Sequence, residues 1–215
     1  MQIDIYADVV CPWCYIGERR LEQALAQRPD LQITRRWRPF QLQPSMPKQG
    51  VPWGEFAERK FGGARNMQAA FGQVVAAGAA DGLEFRFDHV ASAPNTVDAH
   101  RLIVWADRHG KQWELANALV AAYFTHGRDL NDVEQLVDVA GQVALDADQV
   151  RAFLASDEGV TDVQQSQRDA AALGVSGVPF FVFNDQFVVR GAQPVAMFVR
   201  ALEMAAEQDA PQALA

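Results

Sequence analysis

The chain has 215 residues, 49% of them apolar, and its 27 acidic against 19 basic side chains give a formal charge of −8. That length bounds it to one large domain or one domain carrying an insertion, with enough apolar residues for a substantial core. The acidic balance, without a basic stripe, excludes a phosphate-neutralising nucleic-acid binder and argues against an anionic membrane surface as partner.

The first predicted element runs from Ile3 to Val10, a short run rich in β-branched and aliphatic residues that reads as a buried strand. Cys11-Pro12-Trp13-Cys14 follows, and Glu18 to Leu25 then carries helical spacing. In a strand–Cys-x-x-Cys–helix arrangement, Cys11 falls at or just before the first helical turn. Unpaired backbone N–H groups and the positive end of the helix dipole favour a thiolate there. Pro12 suits the first helical position, where its missing N–H is no loss. A thiol at a helix start can titrate at roughly 3.5–7.5 instead of about 8.5, and the thiolate is the nucleophile. Cys14, one turn on, is in reach to resolve a mixed disulfide formed at Cys11.

These are the only two cysteines. A pair three apart closes too short a loop to act as a long-range staple. Half a zinc site and a pair of incidental core thiols are the alternatives to redox chemistry. Zinc requires two further ligands, and His89, His100, His109 and His126 form no His-x3–5-His pair, so no metal is expected. Redox chemistry is the preferred reading.

Pro29-Asp30 marks a turn, and Leu31 to Arg38 alternates like a second strand. Its arginines Arg35, Arg36 and Arg38 read as a solvated face more readily than as a site for an acidic group. Pro39 to Pro52, with four prolines and a glycine, is an irregular connection. From Trp53 to about Leu173 the pattern is helical. Gly62-Gly63 breaks or kinks the first stretch, and Leu83 to Phe87 is a brief extended interruption. Asn95 with Asp98, and Asn131 with Glu134, predict two capped helix starts, the first of these helices ending at Gly110. Shorter and longer helices are predicted from Asp146 to Ser156 and from Asp157 to Leu173. Gly174 to Pro179 is a turn and Phe180 to Phe183 a strand. Asn184-Asp185 reads as a two-residue hairpin, Gln186 to Arg190 as its partner strand, and Pro194 to Glu207 as a closing amphipathic helix. A frayed tail is expected after Gln208.

The expected architecture is α/β: a discontinuous module over 1–44 and 174–210, interrupted by an all-helical insertion over 45–173. No apolar run nears the ~18 residues that span a bilayer, and Met1 leads into a strand without a basic and apolar leader. A cytoplasmic location without a membrane partner is the expectation, and a lone Cys-x-x-Cys there is more often catalytic or redox-sensing than structural.

Taken together, Cys11-Pro12-Trp13-Cys14-Tyr15-Ile16-Gly17, Pro94-Asn95-Thr96 through Ala99-His100-Arg101, Gly174-Val175-Ser176-Gly177-Val178-Pro179 and Val189-Arg190-Gly191-Ala192-Gln193-Pro194 span essentially the whole chain. In this order they resemble the DsbA family of thioredoxin-fold proteins, and within it the FrnE-like dithiol–disulfide oxidoreductases and isomerases. The resemblance implies a thioredoxin fold with a large all-α insertion and a cis Val178-Pro179 bond facing Cys11. Pro12, Trp13, Val178 and Pro179 would then form the substrate-binding surface, with the Val178 backbone offered to a polypeptide or to glutathione as to an added strand. It implies catalysis by Cys11 and Cys14 through a mixed disulfide, with a redox-active disulfide in place of a bound cofactor and glutathione as a candidate reductant. With no second cysteine pair, the redox partner acts in trans. Asp8 is a candidate proton acceptor for Cys14, although a solvated strand-end carboxylate is the plainer reading. His100 either helps shape the cleft or makes a structural hydrogen bond.

Two other classes stay open. Kappa-class glutathione transferases and 2-hydroxychromene-2-carboxylate isomerases resemble the same architecture. They typically carry serine at the position of Cys11 and lack the second cysteine, which favours disulfide chemistry here. A polypeptide-binding chaperone module using the surface around Trp13 and Val178 is the third reading.

Overall fold

The computed structural model describes residues 1–209, so the tail expected to fray lies, from residue 210 onward, outside the described residues. Strand β1 (Gln2–Ala7) is buried on both faces because it lies inside a four-stranded sheet of order β2-β1-β5-β6. Its alternation divides two cores. Ile3 and Ile5 join the large cluster beneath the helices, while Tyr6 joins a smaller cluster with Phe40, Ala170 and Val175. The parallel neighbour β2 (Thr34–Pro39) is reached through α1 (Pro12–Ala26), as a parallel pair requires a crossover. The structure ends β1 three residues before the predicted Val10, because the chain turns at Asp8 to seat Cys11. It also starts β2 three residues later than predicted.

Strands β5 (Phe180–Phe183) and β6 (Phe187–Arg190) complete the sheet antiparallel, β5 pairing with β1. Phe181 and Phe183 face the large cluster, and Phe181 meets Phe198 of α9 (Val195–Asp209) edge to face at 4.9 Å. Truncating such a ring to alanine costs about 3–5 kcal/mol. The hairpin loop takes three residues, not two: Gln186 donates its N–H to Phe183 O, and Asn184 and Asp185 hold φ of 49° and 56°. Asn and Asp tolerate that left-handed region better than most side chains.

Between β2 and β5 run α2 (Trp53–Phe61), α3 (Ala64–Ala80), α4 (Val97–Ala106), α5 (Gln112–Phe124), α6 (Val133–Gln142), α7 (Ala147–Leu154) and α8 (Val160–Ala172). A two-stranded ribbon, β3 (Val51–Pro52) with β4 (Ser92–Ala93), brackets α2 and α3. Gly62 ends α2 at φ 68°, which places the expected break at Gly62-Gly63. Leu83 to Phe87 is not a strand. Phe85 and Phe87 stack on each other and pack edge-on against Phe124, so side-chain burial, not a ladder, sets their alternation. Both predicted caps slip by one residue. Helix α4 starts after Thr96, with Asn95 Oδ1 accepting the Val97 N–H, and Asp132 instead of Asn131 caps α6. The sheet-facing Ile3 and Ile5 share one continuous core with Leu102, Leu119 and Leu136 of the helices. Among the described residues no helix is long and apolar enough to cross a membrane.

Candidate active site

Cys11 is the N-cap of α1, with extended backbone (φ −100°, ψ 108°) and Pro12 at the first helical position. Its N–H donates to Asp8 O at 3.0 Å, closing the turn after β1. Its Sγ accepts the Cys14 N–H at 3.3 Å and lies 3.6 Å from Val178 O, to which the thiol donates. A sulfur therefore fills the place of the oxygen that usually satisfies an orphan N–H at a helix start. Both cysteines are free thiols. Their burial differs: Cys11 keeps 4% of its surface exposed and Cys14 none, while Trp13 between them is 38% exposed. Both cysteines are therefore buried, Cys14 completely, beside the exposed Trp13.

The opposing surface is the Val178-Pro179 turn, whose peptide bond is cis. Val178 is half-buried and Pro179 buried, with Pro179 O accepting the Gly191 N–H at 2.8 Å. Gly17 sets how closely α1 meets this turn. A Cβ there would lie 2.9 Å from Pro179 Cγ and 3.1 Å from Phe181 Cζ, so only a residue without a side chain fits. Of the residues expected from sequence, Cys11, Pro12, Trp13, Cys14, Val178 and Pro179 thus lie on two facing segments joined by the Sγ–O contact.

Asp8 sits just beyond β1 at 1% exposure, but its carboxylate is committed elsewhere than to Cys14. Oδ2 accepts the Leu42 N–H at 2.8 Å, and Oδ1 lies 3.2 Å from His100 Nε2. The other ring nitrogen, Nδ1, accepts the indole N–H of Trp37 at 3.2 Å. Because indole only donates, Nδ1 must be the acceptor and the imidazole proton sits on Nε2, facing Asp8. His100 is fully buried on α4, and the chain from Trp37 through His100 and Asp8 to Leu42 leaves each of these groups partnered. Asp8 meets Cys14 through its backbone only. Its expected role as proton acceptor is therefore not supported by the hydrogen bonding, and His100 makes structural bonds.

The carboxyl that sequence reasoning missed is Glu18. It lies one turn after Cys14 on α1 and is 1% exposed. Oε1 has no hydrogen-bond partner, and Oε2 is 3.3 Å from the Asn117 amide nitrogen once that amide is turned to face it. Burial, then the nearby Glu22 and Cys11, push the Glu18 carboxyl well above the usual range, opposed by Arg35. Arg35 itself lies 3.9 Å over the Trp113 ring and 3.8 Å from Glu22, so it belongs to this polar pocket and not to a solvated face. The Cys14 thiol is also held well above its ordinary range, first by burial, then by the hydrogen bond and charge of Cys11, with Glu18 adding to the rise. The available signal was spacing: a helical residue four after Cys14 shares its face. Among the described residues no cluster of three or more His, Cys, Asp or Glu could hold a metal ion.

Known proteins share this fold. A Streptomyces coelicolor protein whose crystal structure is described as a probable DsbA oxidoreductase superposes with a TM-score of 0.88 at 36% identity, covering 100% of this chain and 94% of its own. The Pseudomonas aeruginosa cytosolic disulfide reductase DsbM, solved with GSH, gives 0.68 at 18% identity over 96% of this chain and all of its own, and shares the fold. An uncharacterized Bacillus subtilis protein, YwbO, is 26% identical over 204 residues, 94% of this chain and 96% of that protein. The family model for the DSBA-like thioredoxin domain matches residues 2–203, and the chain belongs to that family.

Proposed function

We propose that this protein is a thiol–disulfide oxidoreductase or isomerase acting through Cys11 and Cys14. The observation that carries the assignment is the pair of free thiols one turn apart, the leading one capping α1 and held against Val178 O of the facing turn. In the oxidising direction a substrate thiolate attacks Cys11 Sγ of the enzyme disulfide, and Cys14 leaves and takes up a proton. A second substrate thiolate then attacks the substrate sulfur, forming its disulfide and releasing the Cys11 thiolate, so two electrons pass to the enzyme. In the reducing direction the Cys11 thiolate attacks a substrate disulfide. Cys14 then loses its proton, attacks Cys11 Sγ and expels the second substrate thiolate.

The step that needs help is deprotonation of Cys14, whose burial favours the thiol. Glu18, a buried carboxyl on the same helical face, is the proton acceptor we assign to it. Clients are polypeptide thiols and disulfides or glutathione, met along the Trp13 and Val178 surface. The structural likeness to a disulfide reductase solved with GSH is consistent with glutathione as reductant. Electrons enter or leave through a partner in trans, and the cytoplasm is the proposed location.

Replacing Cys11 by serine should reduce insulin reduction and oxidation of a reduced dithiol peptide to the uncatalysed rates. Replacing Cys14 by serine should instead accumulate a mixed disulfide at Cys11, seen by mass spectrometry. Full activity in Cys11→Ser would remove the assignment. Glutathione conjugation exceeding dithiol oxidation in the native protein would replace it with a transferase.

A further inference from the structure

In the resolving step assigned above, Glu18 takes a proton from Cys14 and must later release it, yet Glu18 is only 1% exposed. Its polar contact with the rest of the fold is Asn117, half-buried on α5 and one turn after Trp113. The Asn117 amide has two orientations, and each suits a different charge on Glu18. In the first, Oδ1 faces Glu18 Oε2 while Nδ2 lies 3.4 Å from Glu22 Oε1. That Glu22 oxygen also accepts the Trp113 indole N–H at 3.0 Å. An amide oxygen against a carboxyl oxygen sets acceptor against acceptor, unless the Glu18 oxygen carries a proton and donates it. In the reversed orientation, Nδ2 donates to Glu18 Oε2 at 3.3 Å and Oδ1 accepts the Trp113 indole N–H at 3.1 Å. An ionised Glu18 can only accept, so this arrangement belongs to the carboxylate.

The two arrangements differ by a half-turn of one amide and by one proton. The charges around them are Glu22 and Arg19 on α1, Arg35 of β2, which lies beside Glu22 and over the Trp113 ring, and Glu114 on α5. The Glu22 side chain is 32% exposed, so the first orientation links the Glu18 acid to a carboxylate that meets solvent.

We propose that Asn117 is a positioning residue for the resolving step, its amide turning over each time Glu18 gains or loses a proton. With Glu18 ionised, the amide donates to the carboxylate that must receive the Cys14 proton. With Glu18 protonated, the amide accepts the acid O–H and donates to Glu22. The use of this turnover rests on the redox reading, whereas the turnover itself needs only a titrating Glu18.

Side-chain ¹⁵N–¹H spectra of the full-length reduced protein, recorded from about pH 4 to 9, test it. The Asn117 amide and Trp113 indole signals should move together with a single midpoint. Glu18→Gln should abolish that midpoint. Glu22→Gln should keep it at a lower pH, because Glu22 raises the proton affinity of Glu18. Asn117→Leu removes the amide at similar volume and leaves the Trp113 N–H with Glu22. In stopped-flow it should move the pH midpoint of the resolving phase up by about one pH unit, since a bond to the carboxylate is lost against a weaker one to the acid. A variant that merely loosened the fold would slow both phases without moving that midpoint. Unmoving Asn117 and Trp113 signals, a midpoint that survives Glu18→Gln, or an unshifted resolving phase in Asn117→Leu would each overturn the proposal. The signals should titrate in Cys11→Ser as well, so full activity of that variant would remove the redox assignment and leave the amide turnover standing.

Discussion

Two carboxyl groups are buried on either side of the cysteine pair, and their surroundings are opposite. Asp8, in the turn before Cys11, receives a backbone N–H from Leu42 and the Nε2 proton of His100, which is itself held by Trp37. Glu18, on the helix after Cys14, has one oxygen without a partner and sits among groups that raise its proton affinity. A buried carboxyl given two donors is a fixed structural joint. A buried carboxyl with one oxygen left unpartnered gains proton affinity, and at a thiol pair its ionised form can take up the proton that Cys14 must lose. One side of the site is built to stay still and the other to exchange a proton.

Breaking the fixed side should have the largest effect. Asp8→Ala strips the acceptor from the Leu42 N–H and His100 Nε2–H together, and should lower unfolding free energy by about 3–5 kcal/mol, measured by urea denaturation. Asp8→Asn, which keeps a carbonyl oxygen, should lose distinctly less. If the two variants are equally stable, the joint is not what holds the turn.

On the exchanging side, Glu18→Gln should slow the resolution of a Cys11 mixed disulfide by about 10²-fold, within the range of general-base contributions. The same variant should leave the first attack by Cys11 near its native rate. Stopped-flow measurement of the two phases separates them, and equal slowing of both would mean that Glu18 shapes the site without taking the proton.

His100→Leu sharpens the contrast from the other partner. It leaves the Trp37 N–H without an acceptor and Asp8 with a single donor, and should lower stability by about 2–3 kcal/mol, read as a fall in urea midpoint. The resolving step should be much less sensitive to it than to Glu18→Gln.

The smallest expected effect is a pH slope. The Glu18 carboxyl lies higher in the folded chain than its ordinary 4.5, so between those values the folded state binds the extra proton. Stability is then full below about 4.5 and falls as pH rises through the folded value. Glu18→Gln removes that fall and should be the more stable protein at pH 8. A native protein whose stability curve matches the variant from pH 4 to 8 would contradict the assigned protonation.

The sequence carried the strand, the cysteine turn and the helix start because their signals are local: Ile3 and Ile5, Cys11, then Pro12. The turn at Val178-Pro179 was legible through resemblance, not through its own residues. What stayed hidden depended on neighbours far along the chain. Spacing puts Glu18 on the face of Cys14 but does not give its burial, which depends on the rest of the fold, Asn117 of α5 included. Leu83 to Phe87 alternated like a strand, yet no partner strand lies there and the rings of Phe71 and Phe124 take up its side chains. The cap at Asn131 slipped because the next residue, Asp132, accepts a helix-start N–H as readily, whereas at α4 the helix begins one residue later while Asn95 still accepts the Val97 N–H.

Gly17 bears on any attempt to move this chemistry elsewhere. Its bare α-carbon lets the sulfur-bearing helix rest directly on Pro179 and Phe181, which fixes how close helix and turn approach. A graft that copied only Cys-Pro-Trp-Cys onto a foreign scaffold would carry the reactive atoms but lose their fixed distance from the opposing backbone. The smallest transferable unit is the stretch from Cys11 to Gly17, together with the proline turn it was shaped to touch.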